Sequence, residues 1–120
     1  MTTDHADVEG RVAAELRAWA RGLLPLEAAV ELVATACGSR LLTGPWTRRD
    51  DHGGRWFDTG VAEAEKGCLS GGERRVLEVA MSLASSEHPV DLSDVICGLD
   101  IDDLDAVLQA VSHAGGRRLP

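Results

Sequence analysis

CLSGGERRVLEVAMSLA, residues 68–84, holds the strongest helix-start signal in the chain. Ser70 followed three residues later by Glu73 is a capping box, in which the serine hydroxyl accepts from the Glu73 amide and the carboxylate reaches back to the Ser70 amide. Behind it Val76, Leu77, Ala80, Met81, Leu83 and Ala84 recur at three- and four-residue spacing, which gathers apolar side chains onto one helical face. The pattern predicts a helix from Ser70 to about Ser85 whose apolar face is buried, and so a helical fold. Gly71 and Gly72 are unusual inside it, since a mid-helix glycine costs about 1 kcal/mol relative to alanine. In a first turn they either admit a closely packed segment or leave the amides open to an anion.

Working outward, Glu87-His88-Pro89 breaks the chain, and Asp91 starts a short helical segment through Val95 and Ile96 that Gly98 ends. Asp100 caps a last helix with Asp102 and Asp103 in its first turn, and Ile101, Leu104, Val107, Leu108 and Val111 are expected to form its inner stripe. Gly115-Gly116 ends it, leaving 117–120 as a tail.

Upstream, residues 1–3 are expected to fray, and a first helix runs from Asp4 or Asp7 to Arg21, with acids early and arginines late as the macrodipole prefers. Val8, Val12, Leu16, Trp19 and Leu23 form its expected inner stripe, with Trp19 as a core anchor. Gly22 ends it and Pro25 opens a second helix to Cys37, with Leu26, Ala29, Val30, Val33 and Cys37 inward and Gly38 as the stop. The short link makes these helices an antiparallel hairpin over residues 1–43. Between the halves, residues 44–67 lose the helical period. GPWTRRDDHGGRWFDTG (44–60) fits a long loop or a short irregular hairpin whose rings cover one end of the core, and Val61 to Lys66 a turn of helix. The fold class is therefore all-α: one domain over 1–120, a compact bundle of about four main helices with short helical turns and a Gly/Trp-containing central loop.

At 120 residues, with 44% hydrophobic and 27% charged content, the chain has the make-up of an ordinary soluble globular domain. The charge is lopsided. Glu78, Glu87, Asp91, Asp94, Asp100, Asp102, Asp103 and Asp105 stand without one Lys or Arg between Val76 and Gly116, while the rest balances acids against arginines and the single Lys66. This disfavours a grip on the phosphate backbone, so direct DNA binding is not expected, and an acidic face suits a basic protein surface better. A helix-turn-helix from the first two helices would present mixed Glu and Arg instead of a basic recognition face. Cys37, Cys68 and Cys97 form no C-x-x-C pair, His5, His52, His88 and His113 have no metal-ligand spacing, and the aspartates at 100–105 lack the glycine and glutamate of a calcium loop. No metal or cofactor is expected. The polar N-terminus and the lack of an apolar run of roughly 18 residues point to a cytoplasmic protein without a membrane span, and the Arg-, Ala- and Gly-rich composition to a GC-rich bacterial genome.

Leu69-Ser70-Gly71-Gly72-Glu73-Arg74-Arg75 resembles the signature motif of ABC-type ATPases, in the variant with Glu after the glycines found in the chromosome-maintenance and repair branch. Pro89 and Gly98-Leu99-Asp100 resemble the segment that follows. In that family the motif opens a helix whose serine and glycine amides contact the γ-phosphate of ATP held by the opposite subunit. The resemblance implies Ser70, Gly71, Gly72 and Glu73 as an anion or nucleotide site completed in trans on an ATPase partner. The chain has no G-x-x-x-x-G-K-[ST] phosphate loop, and 90–95 reads VDLSDV where an apolar strand ending in Asp-Glu would stand, so it is not a complete ATPase.

The leading expectation is a small non-enzymatic protein that binds another macromolecule through its acidic C-terminal half, Asp100, Asp102, Asp103 and Asp105, or through Trp46, Arg48, Arg49 and Trp56 of the central loop. The alternative is the phosphate-sensing helix supplied in trans. An enzyme ranks third, since no Ser, His, Asp or Cys spacing marks a catalytic set. Pairing of two copies is left open.

Overall fold

The computed structural model describes residues 5–117, so the expectations for 1–4 and 118–120 lie outside the described residues. Six helices follow the breaks in the sequence: α1 (His5–Ala20), α2 (Leu24–Thr35), α3 (Thr59–Glu65), α4 (Gly71–Ala84), α5 (Leu92–Cys97) and α6 (Ile101–Ala114). Local chemistry sets their starts. Asp58, Ser70, Asp91 and Asp100 each accept a hydrogen bond from the amide three residues on, which satisfies one of the orphan donors of a helix N-terminus. α2 has Pro25 in its first turn, and the Glu27 carboxylate accepts from the Gly22 amide at 2.7 Å. That bond holds the tight link in which Gly22 takes φ +96°.

α2 is the hub. It packs against α1, α4 and α6, with α3 and α5 leaning on α4. Its packing face is built from small and branched side chains, Ala28, Ala29, Val30, Leu32 and Val33, all essentially inaccessible to solvent. Against them sit Val12, Leu16 and Ala20 of α1 and Val76, Leu77, Ala80 and Met81 of α4. Alanines at these crossings let helix axes approach closely, and the larger residues fill the space between. The radius of gyration, 13.7 Å, is that of a folded chain of this length, about 13–14 Å.

Residues 44–67 are more ordered than a loop. They hold a two-stranded antiparallel sheet, β1 (Thr47–Arg49) with β2 (Arg55–Phe57), in the register Thr47–Phe57, Arg48–Trp56 and Arg49–Arg55, followed by α3 and a 3₁₀ turn at Lys66–Cys68. The bend between the strands is held by Asp50, whose Oδ1 accepts from the amides of His52 and Gly54, both at 2.8 Å. An Asp side chain that closes a turn on its own backbone substitutes for longer strands. The fold is thus mostly helical with a small sheet, and the purely all-α expectation is corrected on that point.

Two inner stripes are also corrected. α1 buries Val12, Ala13, Leu16 and Ala20, leaving Trp19 37% and Leu23 62% exposed, because the close approach to α2 and β2 uses the line with alanines. α6 buries Asp103, Val107 and Ala110, whereas Ile101, Leu108 and Val111 are 75%, 49% and 50% exposed. That side of α6 packs on α2, with the Asp103 carboxylate accepting from the Cys37 amide and the small Val107 and Ala110 buried at the crossing.

Candidate interaction surface

The sequence singles out three groups of side chains, and the structure distributes them over different parts of the molecule. At the start of α4 the capping box is complete. Ser70 Oγ accepts from the Glu73 amide at 3.4 Å and donates to Glu73 Oε1 at 2.9 Å, while the Ser70 amide donates to the same oxygen at 3.4 Å. The other Glu73 oxygen accepts from Arg40 Nε at 2.7 Å. The Arg40 guanidinium, then the Ser70 hydroxyl, hold the Glu73 carboxyl below its ordinary range. A Cβ added at Gly72 would stand 4.0 Å from Asp103 Oδ2. The helix start therefore already faces two carboxylates, and an incoming phosphate would have to displace Glu73 from Ser70 and approach Asp103. A Cβ at Gly71 would lie 2.9 Å from Arg75 Nη1, and one at Gly98 only 2.2 Å from Arg75 Nε. The glycines thus serve close packing as well: Gly98 admits the Arg75 side chain that reaches from α4 toward the end of α5.

Asp103 does not belong to an acidic surface. It is 9% exposed, and its Oδ1 accepts from the Cys37 amide at 3.1 Å, with Cys37 Sγ 3.6 Å from both carboxylate oxygens. Cys37, Gly38 and Ser39 follow α2 with φ of 54°, 63° and 66°, a left-handed turn that only glycine adopts without cost. Asp103 satisfies the Cys37 amide, and Ser39 Oγ donates to the Ala34 carbonyl at 2.8 Å, which together hold the two non-glycine residues there. Burial, and after it the Asp103 charge, push the Cys37 thiol up to about 12. It is a thiol at neutral pH and acts as a small apolar anchor, not a nucleophile.

The Trp/Arg hairpin is tied inward. Trp46 is buried and its Nε1 donates to the Leu41 carbonyl at 2.8 Å, while Thr47 Oγ1 donates to the Leu42 carbonyl at 2.8 Å. Trp46 therefore leaves the set of contact residues. Trp56 is half-buried opposite Arg48, and Arg48 approaches Asp58 at 3.6 Å. Arg55 Nε and Glu15 Oε2 of α1 are buried 3.9 Å apart without a hydrogen bond, while Arg49 stays exposed. Acids within the fold stand beside two of the hairpin's three arginines, and the hairpin does not make a broad basic patch.

The other acids of the C-terminal half are left open. Asp91 and Asp100 cap α5 and α6, and Asp94, Asp102 and Asp105 project into solvent without an ion-pair partner among the described residues. α6 also carries the exposed line Ile101, Leu104, Leu108, Val111, in which only Leu104 is half-buried, and α5 carries exposed Leu92 and Ile96 one turn apart. This surface was missed as apolar because its residues were assigned to the core. The signal that could have found it is a second apolar line in α6, Val107, Ala110 and Ala114, which has the smaller side chains that an alanine-faced hub accepts.

Other clefts lie among the helices, one of them lined by Glu63, Lys66, Glu78 and His88. Two along α2 and α6, of about 310 and 220 Å³, share Glu31 and His113. Glu31 is bound by Arg17 Nε at 2.6 Å, and His113 Nε2 lies 2.9 Å from Glu27 Oε1. No group of three metal-ligating side chains occurs among the described residues, and no helix there is long and apolar enough to cross a membrane. No family model matches the chain, and neither a curated protein nor a solved structure matches it.

Proposed function

We propose that the chain is a small, non-enzymatic interaction protein that binds another macromolecule through the α5–α6 face of its acidic C-terminal half. A bacterial cytoplasmic setting and the absence of a cofactor belong to the same reading. The observation that carries it is the exposed line Ile101, Leu104, Leu108 and Val111 in a stretch that holds eight acids and no Lys or Arg. Isolated exposed apolar residues are ordinary, but several aligned along one helix have the composition of a contact surface.

The test is capture from bacterial lysate at low salt, comparing the tagged chain with a Leu108→Lys/Asp105→Lys variant, each with and without Mg-ATP. A partner retained by the natural chain and lost by the variant supports the reading. A retained set that is the same for both overturns it. The nucleotide arm addresses a second reading, an LSGGE helix supplied in trans to a phosphate-loop ATPase, which is favoured by the exposure of Ser70 and Gly71. That reading requires nucleotide-dependent capture that Ser70→Arg abolishes.

A further inference from the structure

Three arginines from three elements converge on a cleft of about 220 Å³ between α1 and the hairpin. Val8, Arg11, Val12 and Glu15 stand at i, i+3, i+4 and i+7, one face of α1, and that helix packs against β2. Arg49 and Arg55 are register partners in the sheet, so both side chains leave the same sheet face and line the cleft from the other side. Like charges placed directly opposite in a sheet are destabilising, so this pair calls for a counter-charge. Glu15 is the one acid lining the cleft, and three guanidinium groups against one carboxylate leave a net charge of +2 there, in a chain whose overall charge is −8. Nor does Glu15 close a bond to its neighbour. Arg55 Nε and Glu15 Oε2 are both buried and without a hydrogen bond, 3.9 Å apart, and Arg11 and Arg49 have no ion pair among the described residues.

Buried polar groups are nearly always hydrogen-bonded, so an unpartnered donor beside an unpartnered acceptor calls for a group that answers both. Such a group accepts from Arg55 Nε and donates to Glu15 Oε2. The net charge around it asks for about two negative charges. Hydrogenphosphate meets both conditions, with oxygens for the forked N–H donors of arginine and one O–H left to give to a carboxylate. Sulfate has the charge without the proton, and a carboxylate ligand brings one charge instead of two. Size sets the limit, since sites for whole drug-sized ligands run about 300–1,000 Å³ and this cleft holds less. A nucleic-acid backbone fits poorly, because each phosphodiester has one charge and no proton and the chain's own negative charge opposes a polyanion. We infer that the cleft between α1 and the hairpin binds a hydrogenphosphate group, with Arg11, Arg49 and Arg55 on its anionic oxygens and Glu15 accepting the hydrogen bond from its P–OH. The site uses no residue of α5 or α6 and goes beyond the interaction reading above.

The probe is inorganic phosphate, titrated into the full chain by calorimetry at low salt and neutral pH, with sulfate as the comparison and amide chemical shifts to locate the contact. The expected result is a Kd on the order of 100 μM for phosphate, at least ~10-fold weaker binding of sulfate, and shifts centred on residues 8–15 and 47–57. Arg11→Gln and Arg49→Gln change exposed side chains and should each weaken phosphate binding ~5-fold or more. Glu15→Gln presents an amide that donates to sulfate as readily as its oxygen accepts from phosphate, so it should bring the two anions within ~2-fold of each other. A gain of sulfate binding in that variant cannot come from a folding defect. Phenyl phosphate separates the two sources of such a group. Tighter binding than inorganic phosphate assigns the cleft to the end of a phosphorylated small molecule, weaker binding assigns it to the free anion, and either outcome supports the site. The inference is overturned if phosphate leaves the spectrum unchanged at ~10 mM, if sulfate binds the natural chain as well as phosphate does, or if Arg49→Gln leaves the affinity unaltered. It is also overturned if the shifts fall at Ser70 to Glu73, which gives the anion to the start of α4.

Discussion

Asp103 joins α6 to the end of α2 with a single carboxylate, and the Cys37 amide it receives comes from 66 residues away in the chain. A buried amide left without an acceptor costs about 1–3 kcal/mol. Asp103→Ala should therefore lower the unfolding free energy by roughly that amount in urea titrations, whereas Asp103→Asn, which keeps an oxygen for the amide, should lose about half as much. Thiol chemistry gives a second readout of the same contact. Because Asp103 helps hold the Cys37 thiol up, both variants should speed its alkylation by iodoacetamide, while in the natural chain the exposed Cys68 and Cys97 react first. The pH consequence has a definite sign. A thiol raised from 9.0 to about 12 favours the folded state fully below pH 9.0 and loses that contribution as pH rises toward 12. The sequence identified Asp103 as a helix-start acid, which is a local property. Its burial was not legible, since nothing near Asp103 in the chain announces that a left-handed turn at Cys37 needs an acceptor.

Among the elements, α4 was legible to within a residue because its information is local: Ser70 and Glu73 sit three apart, and one apolar face follows. Ser70→Ala should cost about 1 kcal/mol by removing the cap. Glu73→Gln should lower stability at neutral pH and converge with the natural chain in acid. A carboxyl held below its ordinary 4.5 by Arg40 and Ser70 contributes stability that is present above that value and lost as pH falls through its lower folded value. The variant's stability should thus decline less steeply below about pH 4.5 in denaturation curves taken across the acid range. α6 shows the opposite case. Its periodicity marks a helix and its caps mark the ends, yet it has two apolar lines, and only the packing of α2 chooses between them. The contrast is measurable. Leu77→Ala, in the fully buried face of α4, should cost about 2–5 kcal/mol, whereas Leu108→Lys should change stability by no more than about 0.5 kcal/mol, as read by chemical denaturation. Residues 44–67 fall between these cases. Gly53 and Asp50 mark a turn, but three-residue strands are too short for an alternating pattern to stand out from a loop.

On the scale of the whole molecule, the net charge of −8 is concentrated on one half, and the folded state must hold those acids together. The ion pairs elsewhere, Arg17–Glu31, Arg40–Glu73 and Lys66–Glu78, are on or near the surface, where such pairs contribute about 0–1 kcal/mol. Of the acids between Val76 and Gly116, Glu78 is answered by Lys66 and Asp103 by Cys37, while Glu87, Asp94, Asp102 and Asp105 have no ion-pair partner among the described residues. Mutual repulsion among them acts over about 30 Å at 10 mM salt and about 8 Å at 150 mM. Raising sodium chloride across that range should therefore raise the thermal midpoint of the chain, because the screening of unpaired acids outweighs the loss of weak surface pairs. Asp105→Lys should stabilise the chain by a few tenths of a kcal/mol at low salt, by relieving the same repulsion, and should flatten the salt response. Binding of a basic partner to this half has to move the other way, since its attraction is screened by the ions that relieve the repulsion. Calorimetric melting and partner capture over one salt series thus give opposite slopes if the exposed acids act in the contact. If both slopes lose their salt dependence in Asp105→Lys, one aspartate is shown to destabilise the fold while it strengthens the contact.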